Sequence, residues 1–228
     1  MYSKVAFFDI DGTLFRSSLL IELVEELIRA EIFPTGAEEV YQEAYGRWLN
    51  REGAYEEYIQ AVIAAYMQHI RGVFYGDVAD ISRVVVATHG KRIYRYTEQL
   101  IQRLKKEGYY IVAISQSPKT VLDGFCAGYG FDKVYGRIYE IGPQDLFTGV
   151  VVDEHLIQNK ANIVRRVVEQ QGLSLAGSVG VGDTEGDISL FELVEQPICF
   201  NPNKTLYEHA KRMDWKVVVE RKDVIYEL

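Results

Sequence analysis

The chain has 228 residues, enough for one large domain or for one domain carrying an insertion. Hydrophobic residues make up 48% and charged residues 25%, a globular balance that excludes a disordered chain. The formal net charge of -8 excludes the basic face that non-specific nucleic-acid binding or an anionic membrane surface requires, so any phosphate handled here must be met by local positive groups.

Val5 to Ile10 is a continuous apolar run interrupted only by Asp9, the pattern of a strand buried on both faces in a parallel sheet. Alternation with other strands then stops. From Phe15 to about Val86 the segments "SLLIELVEELIRAEIF", "AEEVYQEAYGRWLNREG" and "AYEEYIQAVIAAYMQHIRGV" are amphipathic and predict an all-helical insertion. "RIYRYTEQLIQRLKKEG" predicts a helix closed by basic residues and Gly108. It feeds a second strand, "YYIVAIS", from Tyr109 to Ser115. "KVYGRIYEIGPQDLFTGVVVD" reads as an extended excursion turning at Gly142 and Pro143. "NKANIVRRVVEQQG" predicts a helix ending at Gly172, and strands follow at "SVGVGD", "PICF" and "WKVVV".

Strand alternating with helix predicts an α/β fold: a doubly wound, Rossmann-like, mostly parallel sheet with an inserted all-helical cap. The expected division is a core of residues 1–15 and 86–228 and a cap of residues 16–85. Cys126 and Cys199 have no metal-type spacing and read as buried thiols of a reducing compartment, hence a cytoplasmic protein. No run approaches the roughly 18 apolar residues of a membrane span, and no N-terminal export signal is expected.

Ligands of open parallel sheets bind beyond the carboxyl ends of the strands. There the sequence places Asp9, Asp11 and Thr13 after the first strand, Ser115 after the second, Lys160 at a helix start, and Asp183 and Asp187 in "GDTEGD". Lys160 opposes the positive end of a helix dipole, a conflict that a nearby anion would resolve. Ser117 followed by Pro118 reads as an N-cap with a first-turn proline. Four converging carboxylates would repel one another unless a cation sat among them, which points to a hard divalent ion, magnesium above all.

Asp9-x-Asp11-Gly12-Thr13, Ser115 ending a strand, Lys160 at a helix start and Gly182-Asp183-x-x-x-Asp187 together resemble the four motifs of the haloacid dehalogenase superfamily of phosphohydrolases. The helical insertion and the tail "CFNPNKTLYEHAKRMDW" are similar to its phosphoserine-phosphatase-like branch. The resemblance implies that Asp9 is a nucleophile forming an aspartyl-phosphate and that Asp11 is the general acid and base. It also implies that Thr13 orients Asp11, that Ser115 and Lys160 hold phosphoryl oxygens, and that the cap is a lid. The Mg2+ site it implies draws on Asp9, Asp11 and Asp183, with Asp187 supporting them.

Two departures bear on the substrate. Ser18 stands where that branch carries the glutamate that reads a substrate amino group, with Glu22 the next acid, and Gln116 and Ser117 replace a glycine pair. A small phosphorylated metabolite other than phosphoserine is therefore expected, read by Ser18, Gln116, Arg47, Arg51 or the cap aromatics, although most of those aromatics are expected to pack the cap's own helices. Phosphoserine hydrolysis proper and transfer to an acceptor alcohol are the alternatives, with a non-catalytic phospho-ligand module as a remote third. The sequence leaves oligomeric state open.

Overall fold

Strand β1 (Lys4–Asp9) lies at the centre of the sheet in the computed structural model, which describes residues 4–228. Residues 1–3, assigned above to the core, lie outside the described residues. The other strands are β2 (Tyr109–Pro118), β3 (Lys133–Ile141), β4 (Phe147–Val152), β5 (Ser174–Gly182), β6 (Gln196–Phe200), β7 (Lys216–Arg221) and β8 (Val224–Glu227). Their order is β4-β3-β2-β1-β5-β6-β7-β8, with β2, β3, β5, β6 and β7 in parallel pairings and antiparallel strands at both edges. The excursion after Phe131 is thus a hairpin, β3 to β4, turning through Pro143–Asp145.

The uninterrupted apolar character of β1 has a direct cause. Ala6 and Phe8 pack on one face with Ile111 and Ala113 of β2, while Val5 and Phe7 pack on the other with Val112 and Ile114. Two-sided burial removes the polar half of the usual alternation. On the first face lie α5 (Arg95–Lys106) and α6 (Lys119–Ala127); on the second lie α7 (Glu154–Gln158), α8 (Lys160–Gln171), α9 (Ile188–Phe191) and α10 (Lys204–Met213). α5 buries Leu100, Ile101 and Leu104 and ends at Gly108, whose φ of 79° is the left-handed conformation that glycine adopts without strain.

Between β1 and α5 run α1 (Leu19–Arg29), α2 (Glu39–Leu49), α3 (Tyr55–Ile70) and α4 (Tyr75–His89). They share one hydrophobic cluster with the sheet's first face, since Leu23, Leu27, Val62 and Tyr66 join Phe8 and Phe125 there. The expected boundary at residues 85 and 86 falls inside α4, which packs against both α1 and α6. None of the helices among the described residues is long and apolar enough to cross a membrane.

Candidate active site

β1 is where the sheet changes direction: β2 and β3 lie on one side of it, β5 to β7 on the other. A crevice forms at such a switch point, and the carboxyl ends of β1, β2 and β5 meet there. Asp9, Asp11, Ser18, Gln116, Ser117, Lys160 and Asp183 line one chamber of about 120 Å³. Residues remote in sequence are thereby brought together, and each is held by identifiable partners.

The Asp11 carboxylate accepts hydrogen bonds from the Ser115 hydroxyl, from Ser117 Oγ at 2.9 Å and from the Leu19 backbone N–H at 2.6 Å. The N-terminus of α1 is thus docked on the turn after β1, and Leu20 N–H donates to Ser117 Oγ at 3.1 Å. Gly12 makes the tight passage possible. Its φ is 84°, and a Cβ there would overlap the Asp183 carboxylate.

Lys160 is the first residue of α8, 6% exposed, with Asn159 as N-cap accepting from Ala161 N–H. Its Nζ lies 2.5 Å from Asp9 Oδ1 and also bonds Asp187 Oδ1. These two carboxylates are the anions that the sequence conflict at the helix start required. Burial opposes the charge on Lys160, but Asp187 and Asp9 outweigh it and hold its pKa above the ordinary lysine value. The other oxygen of Asp187 accepts from the N–H groups of Asp183 and Thr184.

The pKa values of three carboxyls are also raised, which for an acid disfavours the charged form. Burial is the main cause for each: the Asp9 pKa rises to about 7 despite Lys160, with Asp187 and Asp11 adding repulsion. Asp11 is raised by burial, and Asp183 is raised well above the usual carboxylate range by burial, Asp9 and Asp187. Asp9 Oδ2 is buried without a hydrogen-bond partner. Among the described residues the Asp183 carboxylate accepts one long hydrogen bond, from Thr13 Oγ1 at 3.4 Å.

Several sequence expectations change here. Thr13 turns to Asp183 rather than orienting Asp11; the two serines and α1 orient Asp11 instead. Ser117 is not an N-cap, because β2 runs through Pro118 and α6 starts at Lys119, which frees the hydroxyl for Asp11. Asp187, placed among the metal residues, has both oxygens engaged by Lys160 and by backbone N–H groups. Arg47 pairs with Glu57 at 3.2 Å, and neither Arg47 nor Arg51 lines the chamber. Ser18 does line it, but Glu22 is paired with Arg92 at 3.1 Å and His89 at 3.3 Å and faces a neighbouring cavity.

Sequence reasoning also missed Arg137 on β3, 8% exposed, whose Nη2 donates to Gln116 Oε1 at 2.8 Å. A guanidinium only donates, so the amide oxygen of Gln116 must face it and the NH2 group is left for the chamber. An arginine inside the apolar run "VYGRIYEI" was the available signal. Tyr55 of α3, one of the cap aromatics offered as substrate readers, lines the chamber together with Ile59 and Ile63, which were read only as part of an amphipathic helix.

The haloacid dehalogenase-like hydrolase family model matches residues 6–192. The chain belongs to that family. Among curated relatives, the Streptomyces azureus inhibition of morphological differentiation protein is 23% identical, the match covering 93% of this chain and 77% of the relative. The Methanocaldococcus jannaschii phosphoserine phosphatase is also 23% identical, with 97% and 94% covered. A solved phosphoserine phosphatase, described as a phospho-aspartyl intermediate analogue, superposes with a TM-score of 0.66 at 22% identity over 98% of this chain and 96% of that one. This haloacid dehalogenase-family hydrolase is therefore phosphoserine-phosphatase-like in fold.

The donor set of this hydrolase fits a hard cation. An unpartnered buried oxygen on Asp9 and a nearly unpartnered Asp183 provide two anionic oxygens where Lys160 is already committed elsewhere. Among the described residues no three Asp, Glu, His or Cys side chains form a ready-made cage. Two carboxylates, a carbonyl, water and a substrate phosphate form an all-oxygen, partly hydrated set of the kind that magnesium commonly takes.

Proposed function

We propose that this enzyme is a magnesium-dependent phosphomonoesterase for a small phosphorylated metabolite, working through an aspartyl-phosphate on Asp9. The observation that carries the reading is the pairing of unlike carboxyls in one chamber: Asp9 with a free buried oxygen, Asp11 tied to three donors. One carboxyl is available to attack while the other is fixed to move protons.

In the first step an Asp9 oxygen bonds to phosphorus, the ester P–O bond breaks, and the departing alkoxide takes a proton from Asp11. In the second, Asp11 removes a proton from water as its oxygen bonds to phosphorus, the P–O bond to Asp9 breaks, and phosphate leaves. The raised pKa of Asp11, caused by burial, suits a carboxyl that must begin the cycle protonated. Lys160 and the Gln116 NH2 group would hold the non-bridging oxygens, Asp187 would position Lys160, and Ser115, buried with its hydroxyl given to Asp11, would act through that carboxylate rather than on the phosphate as the resemblance implied. Asp9, Asp183 and the Asp11 backbone carbonyl would hold Mg2+, which when bound neutralises phosphoryl charge and admits an anionic nucleophile.

Helices α1 to α4, residues 16–85 with the last turn of α4 beyond, would act as the lid, since α3 roofs the chamber. Ser18 in place of the amine-reading glutamate supports a substrate other than phosphoserine. The two free buried thiols fit a reducing compartment, which we take to be the cytoplasm.

The test is turnover of an aryl phosphate with and without Mg2+. Asp9→Asn should lower it by on the order of 10³-fold or more, and chelation should abolish it. Wild-type turnover in Asp9→Asn, or indifference to chelation, overturns the mechanism. Phosphorylated acceptor in place of free phosphate would make the enzyme a phosphotransferase.

A further inference from the structure

Beside the catalytic chamber lies a second cavity of about 360 Å³, and Tyr55 and Asp183 line both. The two spaces therefore adjoin, with Tyr55 and Asp183 as their common wall. One wall is aromatic. Trp48 stacks on Tyr58 at 5.6 Å with 16° between the planes, Tyr45 lies 5.1 Å from Tyr58, and Tyr55 meets Trp48 edge-on at 5.4 Å. Tyr58 is the buried hub, but Tyr45, Trp48 and Tyr55 keep 39%, 36% and 36% of their surface exposed. Packing of the helical insertion accounts for the hub and not for three adjoining exposed rings.

The remaining lining carries negative charge. Glu22 and Glu25 stand one turn apart on α1 and both border the cavity. Glu22 is paired with Arg92 and lies 3.3 Å from the His89 imidazole, but Glu25 has no hydrogen bond or ion pair among the described residues. The sign of the field shows on the rings themselves. Burial first, then Asp11 and Asp183 for Tyr55 and Glu25 for Tyr58, push these hydroxyls above the ordinary tyrosine value, so the phenols stay neutral. Arg16 is the one basic residue in the lining, and its guanidinium sits 5.4 Å from the Tyr94 ring centroid.

Electron-rich ring faces beside an unpaired carboxylate attract an organic cation and repel an anion. We propose that the second cavity is the leaving-group site for a phosphomonoester whose alcohol carries an ammonium group and no carboxylate, with Tyr45, Trp48 and Tyr55 facing the cation and Glu25 balancing its charge. This rests on the phosphomonoesterase reading and narrows it to the phosphate esters of amino alcohols. It differs from phosphoserine recognition, in which a carboxylate accompanies the ammonium group; here such a carboxylate would meet Glu25 and Asp183.

The experiment compares kcat/KM, with Mg2+ present, for phosphocholine, its uncharged isostere 3,3-dimethylbutyl phosphate, phosphoserine and an aryl phosphate. Phosphocholine should exceed the isostere by about tenfold or more. That ratio should fall toward one in Trp48→Leu and in Glu25→Gln. Equal values for the two esters, or phosphoserine ahead of phosphocholine, overturn the cation site while aryl phosphate turnover keeps the phosphatase. If no ester is hydrolysed, the phosphatase reading fails, and calorimetric titration with choline decides the cavity: saturable binding weakened by Glu25→Gln supports it, and no heat of binding overturns it.

Discussion

At the ends of β1 and β5 and the start of α8, Asp9, Asp11, Asp187 and Lys160 are tied to one another, to serine hydroxyls and to backbone N–H groups. Across the cavity, on α1 to α3, Glu25 has no such partner among the described residues, and Tyr45, Trp48 and Tyr55 stay partly exposed. Burial explains the contrast. A charged or polar group removed from water must be paired or it costs several kcal/mol, so the floor permits few alternatives. The half-exposed wall carries no such penalty, and its side chains are free to suit a leaving group. Under the proposed function, the chemistry would belong to the sheet and the choice of substrate to the insertion.

Breaking the floor should have the largest effect. Lys160→Met strands Asp9 and Asp187 as uncompensated buried carboxylates, with a destabilisation of about 3–5 kcal/mol expected in denaturant unfolding. Aryl phosphate turnover should fall by on the order of 10²-fold to 10³-fold, because the carboxyl best placed to attack would lose the cation that opposes the effect of burial and favours its ionised form. Stability and rate both near wild type would mean that the floor is not electrostatically tied.

A position between floor and wall sharpens the contrast. Gln116→Leu removes the NH2 group facing the chamber, and Arg137→Met removes the donor that fixes its orientation. Each should lower kcat/KM roughly fivefold, the size of a lost hydrogen bond of about 1 kcal/mol. The double variant should cost little more than either alone, since both act through one amide. Full additivity would sever Arg137 from Gln116.

The smallest effect is expected at the outer wall. Arg47 and Glu57 form an ion pair with both side chains about half exposed, so Arg47→Ala should shift stability by less than about 1 kcal/mol and leave kcat/KM unchanged. A tenfold rise in KM would restore the sequence expectation that Arg47 reads the substrate.

Some of this architecture was legible in the sequence because it is periodic or local. The central strands read as unbroken apolar runs since both faces are buried, and Gly108 and Gly172 marked helix ends through their left-handed backbone. Asp9, Lys160 and Asp183 were visible because a charge at the mouth of a buried strand or at the positive end of a helix has no local explanation. The partner of a hydroxyl has no such signature. Ser117 was misread for that reason: a cap role looks sufficient there, while its partner Asp11 lies past the end of another strand, and Thr13, which the resemblance assigned to Asp11, instead donates to Asp183 past the end of β5.

By itself, then, the sequence determined the α/β alternation, the place of the helical insertion and the acids and lysine that meet at the strand ends, since desolvation cost and periodicity act along the chain. Tertiary structure alone decided that Asp11 is held by two serines and α1, that Gln116 is turned by Arg137, and that the tyrosines and Trp48 join Glu25 around a cavity beside Asp183. Those contacts depend on how helices dock across a sheet edge, and side-chain geometry between distant segments leaves no periodic trace in the residues that make it.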